Sequence, residues 1–345
     1  MARMKVAVLH KVQDIRIEER EIASPEHEEV LIKIKAVGIC GSDFQYYKTG
    51  ICGTYAFSEP FILGHEAAGE IIKIGAEVAG LKIGDRVAIE PGRTCGRCIY
   101  CKTGRYNLCP DVIFLAASPV NGAFSEFLVM PSHLVYKLPP AVSCEEGAMI
   151  EPLSVGIHAV DRANLRHNDK IAIFGQGPIG RVTLAVVLAY GISEIFVTDI
   201  SQGRLDLIDE KVVKINARNQ DPRTLILDQT QQDGVDVVFE ASGATKSIQD
   251  ALEVVKRGGK ILQIGVPHEQ YIPLPLAKIV DNQIDILGSF RYANTYPIAI
   301  SLLEKKQVNV KKLITHRFSF KAIQDAFEFL RKTGEPIIKI MINFE

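Results

Sequence analysis

The stretch Lys170-Ile-Ala-Ile-Phe-Gly-Gln-Gly-Pro-Ile-Gly180 decides the fold of the second half of this 345-residue chain. A short apolar run comes first, the pattern Gly-x-Gly-x-x-Gly follows, and a helical stretch then extends to Tyr190. Glycines at this spacing let the backbone approach a pyrophosphate that lies at the positive end of the helix. The stretch therefore predicts a strand, a phosphate-binding turn and a helix, which together open a parallel α/β sheet that binds a dinucleotide.

An acidic residue at the end of the next apolar run, Glu194-Ile-Phe-Val-Thr-Asp199, selects the cofactor. Its carboxylate would accept hydrogen bonds from the adenosine ribose of NAD and repel the additional phosphate of NADP. Arg204 follows five residues later and is interpreted as lying over the adenine or ribose, or as solvated. The sequence favours NAD over NADP, with four binding residues in the fingerprint and the strand end: Gly175, Gly177, Gly180 and Asp199.

Four cysteines lie in one short segment of the first half, at the spacing C-x2-C-x2-C-x7-C: Cys95, Cys98, Cys101 and Cys109. Four thiolates at this spacing can converge on one tetrahedral zinc ion. The segment is too compact for two disulfides without strain. Because a closed shell of four sulfurs has no open coordination position, it predicts a structural zinc that takes no part in a reaction.

A second zinc site is predicted from residues in three separate motifs. Gly38-Ile-Cys40-Gly41-Ser42-Asp43 supplies a thiolate, Leu63-Gly64-His65-Glu66 supplies an imidazole and a carboxylate, and Glu151 supplies another carboxylate. Three protein ligands and an exchangeable water are typical of a catalytic zinc. The sequence leaves open whether Glu66 or Glu151 contacts the metal, and two zinc ions per chain are expected.

The composition limits the possible partners. Lys and Arg total 40 against 41 Asp and Glu, so there is no positive excess that would favour nucleic acid or an anionic membrane. We find no apolar run of about eighteen residues and expect no membrane span. Seven cysteines without an export signal favour a reducing cytoplasm, and Cys52 and Cys144 are interpreted as ordinary thiols.

The length and a change of pattern predict two domains. Short apolar runs separated by Gly, Pro and Asp predict a β-rich, barrel-like domain over residues 1–153, completed by 289–345. Strands and helices alternate over 154–288 and predict a Rossmann-type parallel α/β domain. The apolar run Pro336-Ile-Ile-Lys-Ile-Met-Ile342 is expected to return to the first domain.

The zinc motifs, the cysteine cluster and the nucleotide fingerprint, in this order, resemble the medium-chain zinc-dependent alcohol dehydrogenases over essentially the whole chain. Three longer motifs are similar to the sorbitol (polyol, L-iditol 2-) dehydrogenase branch: 104–108, 151–158 and 289–297. The resemblance implies an α/β protein with a GroES-like catalytic domain and a Rossmann doubly wound domain. It also implies a homotetramer or dimer that oxidises a secondary hydroxyl of a sugar alcohol, of the sorbitol or xylitol type, to a ketose with NAD.

The resemblance implies residue roles as well. Ser42 would accept the proton that the substrate releases, while Glu66 and Glu151 tune the zinc and position its water. The residues implied to line the polyol pocket are Tyr46, Phe114, Glu151, Arg291 and Tyr292. Further residues implied to contact NAD are Ile179, Arg204, Val266 and Phe290. The chain is also shorter than expected between Asp199 and Glu240, so we expect a reduced helix after Arg204.

Other readings stay open. A dehydrogenase of the same build could act on a butanediol, on threonine or on a phosphorylated hexitol. The sequence shows too few cationic residues near the pocket to favour the phosphorylated substrate. A non-catalytic structural zinc protein would be expected to have a broken catalytic site. Cys40, His65, Glu66 and the glycine loop are all present, so the sequence favours an enzyme.

Overall fold

The structure, a computed structural model, describes residues 2–53, 55–57, 60–267 and 269–345. The chain divides into two compact units. The first comprises Met1–Glu151, Ala293–Gly334 and Lys339–Glu345, and the second comprises Pro152–Tyr292 and Glu335–Ile338.

The strands are β1 (Arg3–Lys11), β2 (Asp14–Glu21), β3 (Glu29–Gly38), β4 (Ile51–Cys52), β5 (Tyr55–Ala56), β6 (Phe61–Ile62), β7 (Glu66–Ile74), β8 (Arg86–Ile89), β9 (Gly92–Arg93), β10 (Ile113–Phe114), β11 (Phe127–Pro131), β12 (Val135–Lys137), β13 (Ile171–Phe174), β14 (Ile195–Asp199), β15 (Val213–Asn216), β16 (Val235–Glu240), β17 (Val255–Gln263), β18 (Asp285–Gly288), β19 (Ile314–Ser319) and β20 (Lys339–Asn343).

The α-helices are α1 (Gly41–Thr49), α2 (Ile99–Lys102), α3 (Cys144–Ala148), α4 (Ile150–Ala163), α5 (Pro178–Ala189), α6 (Gln202–Asp206), α7 (Pro222–Gln229), α8 (Thr245–Val254), α9 (Leu276–Asp281), α10 (Tyr296–Glu304) and α11 (Ile323–Lys332). Short 3-10 helices span Tyr106–Leu108, Ser132–Leu134, Val310–Leu313 and Phe320–Ala322.

The first unit is built around β3, which lies inside a seven-stranded sheet of order β12-β8-β7-β3-β20-β19, with β11 also paired to β3. Val30, Ile32 and Ile34 of β3 are fully buried. Because alternate residues of a strand lie on the same face, this face of β3 packs against the core. The neighbours β7 and β20 run antiparallel to β3 and meet its last residue, Gly38. Three distant parts of the chain therefore converge where β3 ends.

The second unit is a parallel sheet of order β15-β14-β13-β16-β17-β18. From β13 the chain moves outward to β14 and β15 and then returns to β16 on the other side of β13. In such sheets ligands bind at the carboxyl ends of the strands where the strand order reverses. The doubly wound α/β fold predicted from the sequence is confirmed, and the crevice lies after β13 and β16.

Two predicted strands differ from the observed ones. Ala123–Met130 is one of the short apolar runs that predict strands in the first half of the chain. Strand β11 begins only at Phe127, and within the described residues the earlier part of the run pairs through a single bridge between Ser125 and Val6. In the second half, Gly258-Gly259 predicts a turn and the apolar run from Lys260 to Gly265 predicts the strand that follows it, whereas β17 begins at Val255. Gly258 has a φ of 70°, which a glycine adopts without strain, so the predicted turn lies inside the strand.

The segment after β14 is short, as expected. Helix α6 has only five residues, and its N-cap is the Ser201 side chain, which accepts a hydrogen bond from the Arg204 N–H. Beyond Asp206 the chain reaches β15 without a further helix. The carboxyl end of β14 therefore stays next to α6, which carries Arg204.

Candidate metal centres and dinucleotide site

The mixed thiolate, imidazole and carboxylate set comes together at the end of β3. Cys40 follows β3 and is the N-cap residue of α1, while His65 and Glu66 lie at the start of β7. One donor atom of each residue lies within 4.8 Å of the others, and His65 and Glu66 are buried. One sulfur, one nitrogen and one oxygen donor at this separation, with Cys40 partly exposed, fit a zinc ion.

Asp43 holds the two segments that carry these donors. Its carboxylate accepts hydrogen bonds from the backbone N–H of Cys40 and of Gly64, both at 3.0 Å. The same carboxylate lies 3.7 Å from Nδ1 of His65, and burial raises the pKa of Asp43. Carboxylates beside a metal-binding histidine orient the imidazole. Asp43 belongs to the motif that contains Cys40, but the sequence predicts no role for it.

Four other predicted residues belong to the same unit. Glu151 is buried. Burial alone would lower the pKa of His65, but the negative charges of Cys40, Asp43 and Glu151 raise it. Phe114 packs against the His65 ring with 5.5 Å between ring centroids. Ser42 is half-buried in the first turn of α1. Tyr46 is buried edge-on against Phe61, so its ring is part of the local core.

Lys339, which sequence reasoning missed, neutralises Glu66. Both side chains are 1% exposed, and the ammonium donates to both carboxylate oxygens at 2.6 Å and to the Ile39 carbonyl at 3.1 Å. Burial alone would lower the pKa of Lys339, but the charges of Glu66 and Cys40 raise it above its usual value. A lysine inside an apolar strand was the available signal, because such a charge is rarely buried unless it is paired.

Gly38 lets this pair form. A Cβ atom at Gly38 would lie 2.1 Å from Oε2 of Glu66, the residue opposite it in the β3–β7 ladder. The carboxylate thus occupies the space that a side chain would fill. Since Gly38 precedes Cys40 by two residues, the thiolate and the carboxylate are fixed by the same stretch of backbone.

The four-cysteine cluster is a separate site in the first unit, and the donor sulfurs of Cys95, Cys98, Cys101 and Cys109 lie within 4.8 Å of one another. Backbone N–H groups point at the sulfurs, from Cys98 to Cys95 at 3.4 Å and from Cys101 to Cys98 at 3.5 Å. The N–H groups of Arg97 and Cys98 lower the pKa of Cys95 to about 7. Burial and the neighbouring cysteines raise the pKa of Cys109 to about 11, so without a metal the four thiols do not ionise alike. Four sulfurs this close together fit a structural zinc, which binds them as thiolates.

The cysteine loop is anchored through Tyr106. The Tyr106 hydroxyl donates to the buried carboxylate of Glu90 at 2.8 Å, and Tyr136 donates to the other oxygen of Glu90 at the same distance. The Tyr106 oxygen also accepts the backbone N–H of Asn294 at 2.8 Å, and the Asn294 amide donates to the Gly104 carbonyl. The loop is therefore joined to the sheet and to the segment that follows Tyr292.

In the second unit, the glycine loop and the end of β14 lie side by side. Gly175 has a φ of 88°, and α5 begins at Pro178 directly after the loop. The Asp199 carboxylate accepts the N–H of Gln176 at 2.7 Å and that of Ser201 at 2.8 Å. Arg204 lies 3.8 Å from Asp199 and is partly exposed. This arrangement of turn, helix start and acidic strand end fits the adenosine and pyrophosphate of a dinucleotide.

The remaining predicted residues of the second unit differ in exposure. Val266 and Phe290 are 76% and 53% exposed, whereas Ile179 is half-buried at the start of α5. The Arg291 guanidinium stacks over the Phe290 ring at 4.8 Å, and Arg291 has a φ of 50°. Tyr292 is buried.

No helix in the described part of the chain combines the length and the apolar character that a membrane span requires.

Fold and sites together define a zinc-dependent dehydrogenase with a dinucleotide-binding sheet. Residues 26–140 match the alcohol dehydrogenase GroES-like domain family, and residues 178–305 match the zinc-binding dehydrogenase family. The chain belongs to this zinc-binding dehydrogenase family, and the GroES-like and Rossmann fold class predicted from the sequence is confirmed.

Three individual proteins resemble the chain over most of its length. The chain is 47% identical to a sorbitol dehydrogenase of Bacillus subtilis, over 98% of this chain and 97% of that protein. It is 42% identical to an L-idonate 5-dehydrogenase of Vitis vinifera, over 91% and 88%. A crystal structure of an Escherichia coli oxidoreductase of unknown specificity superposes over the whole of both chains with a TM-score of 0.93 and 37% identity.

We predict strong coupling between Lys339 and Glu66. Lys339→Met should lower the free energy of unfolding by about 3–5 kcal/mol, because it leaves a buried carboxylate without its cation. Adding Glu66→Gln should recover a large part of that loss, which denaturant unfolding of both single variants and the double variant would measure. Lys321→Met is the matched control, because the Lys321–Glu345 pair is exposed and should contribute at most about 1 kcal/mol. Additive losses in the double variant would contradict the prediction.

Proposed function

We propose that this enzyme oxidises a secondary hydroxyl of a sugar alcohol to a ketose and transfers the hydride to NAD. The observation that supports this proposal most directly is that donor atoms of Cys40, His65 and Glu66 lie within 4.8 Å of one another, with His65 and Glu66 buried. The relatives named sorbitol dehydrogenase and L-idonate 5-dehydrogenase support the choice of substrate class. A test for NADH formation with a panel of polyols examines this proposal directly.

The catalytic zinc would be held by Cys40 and His65 together with Glu66 or Glu151. A bound zinc supplies a Lewis acid that lowers the pKa of a coordinated hydroxyl. Glu66 already shares both oxygens with Lys339, so its charge toward a metal is partly neutralised, while Glu151 adds a second negative charge beside His65. Ser42, two residues after Cys40, would accept the proton that the substrate hydroxyl releases.

The second unit would bind NAD through its glycine loop. Gly175, Gly177 and Gly180 give the pyrophosphate access to the backbone at the start of α5, and Asp199 would bind the adenosine ribose. Ile179, Arg204, Val266 and Phe290 are proposed as further contacts, and the exposure of Val266 and Phe290 supports this role.

Polyol hydroxyls would be bound by Arg291 and Tyr292, with Glu151 and Phe114 beside His65. A guanidinium offers several N–H donors in a fixed plane, and its stacking on Phe290 restrains that plane. Tyr46 is proposed as a pocket residue with less support, because its ring packs against Phe61.

We further propose that the first unit carries the zinc chemistry, that the second carries the cofactor, and that the enzyme is a cytoplasmic homo-oligomer. Strand β18 is the last strand of its sheet in the described part of the chain, and nearby Leu276, Val280 and Ile286 are exposed. Edge strands with exposed apolar residues favour pairing with another chain, here a second copy.

The cytoplasmic location is proposed from the cysteines, because seven free thiols suit a reducing compartment.

The alternative is a related dehydrogenase that acts on a butanediol, on threonine or on a phosphorylated hexitol. Adding these three compounds to the panel of polyols distinguishes it. Polyols should exceed ethanol and 2-propanol in kcat/KM by orders of magnitude, since each buried polar group left unpaired costs about 1–3 kcal/mol. Arg291→Ala should reduce this ratio and affect NAD affinity less, whereas the exposed control Arg257→Ala should leave both unchanged. Better activity with ethanol would refute the polyol assignment.

The two zinc ions are expected to differ in retention. Mild chelation should remove activity and one zinc per chain before the fold is lost, because the mixed site keeps an exchangeable position and the four-thiolate site is closed. Metal analysis with circular dichroism along the chelation series measures this order. Activity that is indifferent to chelator, or one zinc per chain at the start, would contradict it.

Asp199→Ser should weaken NAD binding and improve NADP binding. The change removes the carboxylate that repels a 2′-phosphate and frees Arg204, now 3.8 Å from it, to bind that phosphate. Kinetics with both cofactors measure the reversal, with the exposed Asp206→Ser as control. A wild-type enzyme that prefers NADP would overturn this assignment.

A further inference from the structure

Glu240 is a buried carboxylate at the carboxyl end of β16 that no metal or substrate role accounts for. Its side chain is fully buried, and it lies opposite Phe174 in the β13–β16 ladder, next to the glycine loop. This is the point where the strand order of the sheet reverses, and ligands of such sheets bind there.

Five donors surround the Glu240 carboxylate. One oxygen accepts the backbone N–H of Ser242 at 3.0 Å and the hydroxyls of Ser242 and Ser247. The other accepts the Gly243 N–H at 2.9 Å and the Gln263 side-chain amide at 2.8 Å. These donors come from the loop after β16, from α8 and from the end of β17. One carboxylate therefore joins three consecutive elements.

All five donors are neutral, and no ion pair of Glu240 occurs within the described residues. A buried ion without a cation gains little stability over an apolar residue. Glu240 therefore acts mainly by orienting its neighbours, because a carboxylate accepts hydrogen bonds at both oxygens and fixes the direction of each donor.

The backbone around Glu240 is packed too closely for side chains. A Cβ atom at Gly265 would lie 2.3 Å from the Gly243 nitrogen, and one at Gly243 would lie 2.2 Å from the Val266 carbonyl. A Cβ atom at Gly175 would lie 2.9 Å from Cβ of Ser242. The loops after β13, β16 and β17 thus contact one another directly. The Glu240 carboxylate joins the loop after β16 to Gln263, whose amide also donates to the Gly265 carbonyl in the loop after β17.

We infer that Glu240 is a positioning residue for the dinucleotide: it fixes the loops 241–244 and 264–266 against the glycine loop that begins at Gly175. The inference rests on the dinucleotide binding proposed above and adds a residue that does not contact the ligand. NAD affinity should depend on Glu240, while the first unit, with its metal centres, should be unaffected.

The test is Glu240→Gln in the zinc-loaded full-length enzyme. The amide keeps the shape, but in either orientation its NH2 group meets a backbone N–H that cannot accept, that of Ser242 on one side or that of Gly243 on the other. The Kd for NAD, measured by titration without substrate, should rise by about tenfold, as for loss of one or two buried hydrogen bonds. The polyol KM and kcat at saturating NAD should stay within about twofold, and zinc content should not change.

Asp236→Asn is the matched control at the opposite end of β16, where Asp236 accepts the Lys170 N–H and pairs with Lys256. Ser242→Ala removes one exposed hydroxyl, which donates to Glu240 and accepts the Ala244 N–H. It supplies a milder variant if Glu240→Gln fails to fold, and its Kd for NAD should rise by about threefold. An unchanged Kd for NAD in a folded variant would overturn the inference. A lower kcat, a higher KM for the polyol and a lower stability, all appearing together, would overturn it as well. A wild-type enzyme that does not bind NAD would instead refute the proposed function.

Discussion

The metal centre of the first unit depends on the contact between the Lys339 ammonium and the Glu66 carboxylate. Thiolate and carboxylate donors at the end of β3 bring negative charge into a sheet interior, where uncompensated charge is costly. Lys339 supplies the cation and also binds the Ile39 carbonyl, one residue before Cys40. Because Lys339 opens β20, the sheet position of the last strand and the charge balance of the site are set together.

The two candidate zinc sites differ in what holds their donor atoms. The cysteine cluster lies in a loop whose own backbone N–H groups stabilise the sulfurs, so the metal and the loop define each other. The mixed site takes its donors from β7 and from the start of α1, and Asp43 and Lys339 fix those donors from behind. A site fixed in this way can keep an open coordination position, because the protein does not need the metal to order it.

Local patterns made the fold class predictable. The glycine fingerprint between β13 and α5 and the spacing of the four cysteines are each contained in fewer than about twenty residues, within reach of sequence reasoning. Lys339 and Glu66 are 273 positions apart, and nothing in either segment predicts their contact. The bulged start of β17 was not predicted for a related reason. Gly258 and Gly259 favour a turn locally, and they belong to the strand only because Val255 and Lys260, on either side of them, both pair with β16.

Glu66 and Glu240 are both buried carboxylates at strand ends, yet each is satisfied differently. Glu66 is paired with a lysine, which keeps the charge of a metal-binding region in balance and leaves the carboxylate able to respond to the metal. Glu240 is surrounded by neutral donors from three elements, so it can neither leave nor exchange partners without breaking several hydrogen bonds at once. A cation beside Glu240 would compete for those oxygens and loosen the loops. The five neutral donors therefore suit a group whose part is to order the backbone.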